Sequence, residues 1–214
     1  TMATDGRYVM ENNYRYSLSL LDFCAEQEVP FLYASSAAVY GGSSTFKEER
    51  AFESPLNVYG YSKFLFDQVV RRRLADVSHQ IAGFRYFNVY GKNSKKGHFL
   101  GDQIDKIKNG VFSVIGAQET RSFCHVSDAI RASIYVAEHV DREVVNIGND
   151  REVTIAFAAG VIAEALGHPN PTWITRSGLA GSTANRRPDI TKLRSTMPDY
   201  KPMNFEEGIR SILS

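Results

Sequence analysis

The stretch from Tyr8 to Gly91 alternates between two hydrophobic periods, and that alternation leaves the chain few folds. Tyr8, Met10, Tyr14, Leu18, Leu21 and Phe23 recur at helical spacing as far as Glu26. Pro30 breaks the pattern, and Phe31-Leu32-Tyr33-Ala34 reads as a short buried strand ending at Ser35-Ser36. Gly41-Gly42-Ser43-Ser44 is a loop. A second helix is expected from about Tyr59 to Leu74, and Gln80 to Phe87 is the next strand, closing on Asn88-Val89-Tyr90-Gly91. Helix, strand, helix, strand in succession predicts an α/β chain with a Rossmann-like, doubly wound parallel sheet.

Beyond Gly91 the texture changes. Lys92 to Gly97 is a polar loop, and Phe99 to Lys108 a helix ended by Asn109-Gly110. Val111 to Ile115 is a strand, Arg121 to Val126 a short extended piece, and Ser127-Asp128 a candidate cap for a helix from Ala129 to His139. Val144 to Ile147 reads as a strand, and Thr154 as the cap of a helix from Ile155 to Leu166. Pro169 to Thr175 is read as irregular, and Phe205 to Ile212 as a terminal helix. The expected division is residues 1–91, the rear of a dinucleotide-binding domain, and residues 92–214, a smaller C-terminal substrate-binding region with returning Rossmann elements.

Composition excludes several classes. With 25 basic and 24 acidic residues in 214, net charge is +1, which argues against a nucleic-acid partner. Arg71-Arg72-Arg73 is the only basic run and reads as a helix end. Cys24 and Cys124 make no CxxC, which fits a reducing cytoplasm better than a disulfide framework. No apolar run reaches membrane-span length, and no membrane partner is expected. The five histidines lack metal-ligand spacing, so no metal is expected.

The chemistry lies in Asn57-Val58-Tyr59-Gly60-Tyr61-Ser62-Lys63. Tyr59 and Lys63 are four apart at the mouth of a helical stretch, so they share a face. A lysine ammonium beside a phenol stabilises the phenolate, which can then take a proton near neutral pH. Tyr61 lies only two residues before Lys63 and would point elsewhere. Ser36, at the end of the first strand, supplies a hydroxyl placed to hydrogen-bond a reacting sugar oxygen.

Ser36, Tyr59 and Lys63, within Tyr33-Ala-Ser-Ser-Ala-Ala-Val-Tyr-Gly41, Asn57 to Lys63 and Phe84-Arg-Tyr-Phe-Asn-Val-Tyr-Gly91, resemble the extended short-chain dehydrogenase/reductase superfamily. Residues 5–91 are most similar to the ADP-L-glycero-D-manno-heptose 6-epimerase family, through Asp5 to Tyr14, Phe31 to Gly42, Pro55 to Asp67 and Gly83 to Gly91. That resemblance implies a nucleotide-sugar epimerase that holds NADP (or NAD) and works by transient oxidation and hydride return. It also implies a homo-oligomer. It makes Ser36, Tyr59, Lys63 and Lys96 catalytic, and assigns Asn12, Tyr59, Lys63 and Val89 to cofactor. It assigns Ser36, Asn88, Arg121 and Arg186 to substrate. Lys96 follows from a lysine-before-glycine pattern, met here with a one-residue shift.

After Gly91 the likeness moves toward other nucleotide-sugar enzymes. Thr120 to Asp128 resembles their Arg-x-Phe-x-x-Val-x-Asp segment, and Arg186-Arg-Pro-Asp189 their Arg-x-x-Asp segment. Guanidinium groups suit a diphosphate because they donate two parallel bonds. Asp128 and Asp189 are expected to cap or brace. A UDP- or dTDP-sugar 4-epimerase, dehydratase or decarboxylase is therefore the alternative substrate reading, and a catalytically silent binding domain the alternative of another class. The superfamily opens with a strand, a glycine-rich turn and a helix. The nearest match here, Gly178-Leu-Ala-Gly181-Ser-Thr-Ala184, runs into Asn185-Arg-Arg-Pro188 and reads as a loop, so the chain is expected to be N-terminally truncated relative to its family.

Overall fold

Asp5 begins the first helix by accepting hydrogen bonds from the Arg7 and Tyr8 amides, as an N-cap aspartate should. The computed structural model describes residues 5–94, 97–178 and 185–213. In chain order, α1 (Gly6–Met10) passes through a π-helical turn (Glu11–Arg15) into α2 (Tyr16–Glu26), and β1 (Phe31–Ser36) follows. Then come α3 (Val58–Arg73), β2 (Ile81–Tyr86), β3 (Val89–Tyr90), α4 (Phe99–Lys108), β4 (Ser113–Ile115), β5 (Thr120–Ser122) and β6 (Cys124–His125). The chain continues through α5 (Val126–His139), β7 (Glu143–Ile147), β8 (Glu152–Thr154), α6 (Ile155–Ala165), β9 (Ile174–Arg176), α7 (Thr191–Thr196) and α8 (Phe205–Leu213).

The chain forms two compact units. Thr1–Phe87, Ile130–Ile147 and Pro188–Tyr200 make the first, and Asn88–Ala129, Gly148–Arg187 and Lys201–Ser214 the second. In the first unit β1, β2 and β7 form a parallel sheet in the order β1-β2-β7, with Tyr33 opposite Gly83 and Phe84 opposite Val145. With its flanking helices this is a Rossmann-like architecture. β2 is the central strand and is buried along five of its six residues, as a strand covered on both faces must be. β1 alternates, with Phe31, Tyr33 and Ser35 buried and Leu32 and Ala34 exposed. Leu21 of α2 and Phe66 and Val70 of α3 pack on Phe31, Tyr33 and Ile81. Gly83 is required by this packing. A Cβ there would lie 2.6 Å from the Tyr33 ring.

One polar cluster interrupts the apolar core. Arg85, on β2, is fully buried and donates to Asp67 Oδ2 at 2.6 Å and to Glu53 Oε1 at 2.5 Å. Asp67, also fully buried, accepts from Tyr33 Oη at 3.1 Å and Ser35 Oγ at 3.0 Å. Arg71 closes the set by pairing with both oxygens of Glu53. The Arg85 guanidinium also lies over the Tyr40 ring, 4.7 Å from its centroid. Burial disfavours the arginine cation, yet Asp67, Tyr40 and Glu53 together hold its pKa above the ordinary value. For Glu53 burial pulls upward, but Arg71 and Arg85 outweigh it and hold the carboxyl below its usual range. Its stabilising share is therefore complete above the ordinary carboxylate range and is lost as pH falls through the lowered folded value.

The second unit holds three strand pairs, β3 with β6 and β4 with β9 parallel, and β5 with β8 antiparallel. Its core gathers Tyr90, Leu100, Ile107, Phe123, Ile162, Phe205 and Ile209. Thr154 caps α6 through the Phe157 amide at 3.1 Å, as its position in the sequence suggests. Two expectations need correction. α5 begins at Val126, so Asp128 lies in its first turn; its carboxylate accepts the Met203 amide at 2.8 Å and ties down the segment before α8. Ile174–Arg176 is not irregular but pairs with β4, in register Val114 to Thr175. Cys24 and Cys124 are both free thiols. Among the described residues no helix is long and apolar enough to cross a membrane.

Truncating Arg85 leaves two buried carboxylates short of a cation. Arg85→Met is expected to lower unfolding free energy by about 3–5 kcal/mol in urea titration. Arg7→Ala, which removes an ion pair from an arginine 87% exposed, should cost no more than about 1 kcal/mol.

Candidate active site

Two elements of the first unit carry the groups of interest, β1 with Ser36 at its carboxyl end and α3 with Tyr59 and Lys63 in its first turns. Asn57 starts α3 by accepting the Gly60 amide at 2.9 Å. The turn after Ser36, Ala37–Val39, is capped by the serine itself, whose Oγ accepts the Ala38 amide at 3.1 Å. These two starts come close together. A Cβ on Gly60 would stand 2.6 Å from the Ala38 carbonyl oxygen, so only glycine lets the first turn of α3 approach the Ser36 turn.

Lys63 completes the link. Its Nζ donates to the carbonyl oxygen of Ala34 at 2.8 Å, two residues before Ser36. Burial pushes its pKa below the ordinary lysine value, and the Asp67 carboxylate works against that fall. Tyr59 is half-buried, one helical turn before Lys63. Its carbonyl accepts the Ser62 hydroxyl at 2.7 Å, and Ser62 Oγ in turn accepts Asn13 Nδ2 at 3.3 Å. Tyr61 is 50% exposed, and its ring meets Phe64 edge-on. Ser36 and the start of α3 therefore meet at the carboxyl end of a parallel strand, where open α/β sheets place ligands.

The adjacent asparagines both lie in the π-helical turn and make different contacts. Asn12 is exposed, and its Nδ2 donates to the Tyr8 carbonyl of its own helix at 2.9 Å. Asn13 reaches α3. Asn12 is assigned to cofactor by the resemblance, while the contact of Asn13 with α3 depends on the π turn, which helical spacing alone does not reveal. Sequence reasoning passed over Asp67. Its signal is its spacing, four after Lys63 and eight after Tyr59 on one helix.

Asn88, Val89, Arg121 and Arg186 belong to the second unit. Asn88 has a left-handed backbone, φ +36°, and its Nδ2 donates to the Ser122 carbonyl at 3.0 Å. Val89 lines a cleft of about 410 Å³ with Lys92, Ser94, His98 and Val126. Arg121 donates to the Thr120 carbonyl and to Glu119 Oε2, both at 2.7 Å. Burial first and the Arg121 charge second depress the Arg186 pKa, and the Glu119 carboxylate, which accepts from Arg121, works against that fall. Asp189 caps α7 through the Thr191 amide at 2.8 Å. His125 is buried as the last residue of β6, with Nδ1 2.7 Å from Ser127 Oγ. Lys96, and Gly181 of the glycine loop, lie outside the described residues. No group of side chains suited to a metal occurs among the described residues.

A sequence profile described as the NAD dependent epimerase/dehydratase family matches residues 1–148. Solved structures with the same fold include dTDP-glucose 4,6-dehydratase from Bacillus anthracis str. Ames in complex with NAD. It is 20% identical, with TM-score 0.86 over 99% of this chain and 70% of that one. UDP-N-acetylglucosamine 4-epimerase from Methanobrevibacter ruminantium M1 is 24% identical, with TM-score 0.83 over 95% and 68%. ADP-L-glycero-D-manno-heptose-6-epimerase from Helicobacter pylori is 26% identical, with TM-score 0.82 over 100% and 68%.

The groups present suit one end of a nicotinamide dinucleotide better than the other. A half-buried ammonium beside a strand end suits a ribose hydroxyl, but no glycine-rich strand–turn–helix for the pyrophosphate occurs among the described residues. Calorimetric titration of this polypeptide with NADP should accordingly give binding weaker than micromolar, and tighter binding would reveal a phosphate cradle elsewhere in the chain.

Proposed function

We propose, on the premise that this chain belongs to the NAD dependent epimerase/dehydratase family, that it acts on a nucleotide sugar as an epimerase, with Tyr59 as acid/base. The observation that carries the reading is the meeting of α3 with the end of β1, Lys63 bonded to Ala34 and Gly60 against Ala38. It brings the first turns of α3, which carry Tyr59 and Lys63, against the strand end that carries Ser36. A nicotinamide dinucleotide, NADP by resemblance, supplies hydride acceptance and return when bound. Lys63 would hold its ribose hydroxyls, one helical turn beyond Tyr59. Tyr59 takes the proton of the sugar hydroxyl, and Ser36 hydrogen-bonds the same oxygen. Asn12 and Val89 are the remaining cofactor contacts by resemblance, and Asn88 a substrate contact.

The substrate proposed is an ADP-heptose inverted at its side-chain carbon, with Lys96 as the second acid/base. Support comes from the motifs of residues 5–91 and from the likeness to the Helicobacter pylori epimerase. Arg121 and Arg186, both in the second unit, suit the nucleotide diphosphate because a guanidinium donates two parallel bonds. That pair also favours a second reading, a UDP- or dTDP-sugar 4-epimerase or dehydratase, because the segments bearing it resemble those enzymes more than the heptose enzyme. Apolar side chains left open on α2 and α3, Tyr16 at 62%, Phe23 at 57% and Tyr61 at 50%, suit a homo-oligomer.

Product analysis by NMR, with ADP-heptose against UDP-sugars in millimolar NADP, separates the two substrate readings. Tyr59→Phe should lower turnover about 10²–10⁴-fold with nucleotide-sugar binding nearly intact, since only the proton-transfer hydroxyl is lost. Lys96→Ala should abolish epimerisation while leaving a Tyr59-dependent half-reaction. A rate within about twofold of the parent would move the second base elsewhere and favour the UDP- or dTDP-sugar reading.

A further inference from the structure

The buried carboxylate of Asp67 stands behind the site, bonded to one of its two elements and rooted in the other. It belongs to α3, one turn beyond Lys63 and two beyond Tyr59. Its Oδ2 accepts the hydroxyl of Ser35, the residue immediately before Ser36 on β1, and its Oδ1 accepts Tyr33 of the same strand. Lys63 makes the parallel connection, from α3 to Ala34. Three successive β1 residues, Tyr33, Ala34 and Ser35, are thus fastened to α3 by the pair Lys63 and Asp67. We propose that Asp67 is a positioning residue that sets the height of Ser36 against Tyr59 and keeps the Lys63 ammonium charged at the strand end.

Two features separate this role from ordinary core packing. The first is redundancy in the charge set. Arg85 is already paired with Glu53, and Glu53 with Arg71, so a neutral side chain at residue 67 would still leave each buried cation a carboxylate. Fold alone does not demand the Asp67 charge. The second is electrostatic. Burial works to discharge Lys63, and the one charge opposing it is Asp67. Around this pair stand Tyr33 from β1, Arg85 from β2, Glu53 from the turn before α3, and Tyr59 and Arg71 from α3 itself. Tyr33 is held neutral by burial and by the adjoining Asp67 carboxylate, so it adds no charge of its own.

The inference rests on the catalytic reading of Tyr59 and Lys63, but its test is read without turnover, so the two can fail separately. The full chain is labelled with [13Cε]lysine, the Lys63 signal is assigned by its loss in Lys63→Arg, and its titration is followed by NMR. In Asp67→Asn, which keeps the size and an acceptor for Tyr33 or Ser35, the Lys63 midpoint should fall by about one pH unit or more. Asp67→Glu, which restores the charge, should return it to within about half a unit of the parent. A midpoint unchanged to within about a quarter of a unit in folded Asp67→Asn overturns the proposal, as does a Glu variant as low as the Asn variant. If Asp67→Asn does not fold, the double variant Asp67→Asn/Arg85→Gln removes both buried charges together and gives the same reading: a fall supports the proposal, and no change overturns it.

Discussion

The ion set of Arg85 with Asp67 and Glu53 is the constraint on which the first unit depends. A guanidinium with no solvent exposure sits in the central strand of a parallel sheet, in register with Ser35 on one side and Asn146 on the other. Taking such a charge from water costs several kcal/mol, and the cost is offset only where partners are placed to fit. Here the partners come from three directions: Glu53 from the turn before α3, Asp67 from α3, and the Tyr40 ring from the loop after β1. Glu53 alone leaves Arg85 a carboxylate, and Asp67 adds a second one from α3. The set therefore fixes α3 against β1 and β2 more narrowly than hydrophobic contact can, because apolar packing accepts small sliding and a buried ion pair does not.

The chemistry follows from that registry. A proton-transfer group is useful only when held within hydrogen-bond reach of its substrate, and displacement by an ångström is costly. Ser36 rides on β1, and Tyr59 and Lys63 on α3; nothing in their local sequence sets the distance between strand and helix. Gly60 permits the close approach, and Lys63 and Asp67 hold it. The same fold appears in solved enzymes only 20–26% identical to this chain, which act on differently substituted sugars.

Much of the first unit was legible in the sequence, since its elements have clean periods. The strands at Phe31 and Ile81 and the helix over Tyr59 fall where pattern reasoning puts them. Tyr59 and Lys63 fall one turn apart on a single helix, as their spacing suggests. The buried charges were not legible. Asp67 lies in an apolar-periodic stretch and Arg85 in an apolar strand, and periodicity reports where apolar residues are, not which polar ones they enclose. The π-helical turn was invisible for a related reason. It shifts the face by one residue, so that Asn13, not Asn12, meets Ser62. β9 was missed because Ile174, Thr175 and Arg176 are all exposed and carry no alternation. Its pairing with β4 is a tertiary fact.

The account's central claim is that β1, β2 and α3 form one cooperative block with the site built on its rim. Hydrogen exchange under native conditions, resolved by residue, tests it most directly. The amides of Leu32–Ser36, Ala82–Tyr86 and the buried turns of α3 from Ser62 to Val70 should share one opening free energy, equal to that of global unfolding. Exchange of the α3 segment through a separate, lower-energy opening, with β1 and β2 still protected, would contradict the claim.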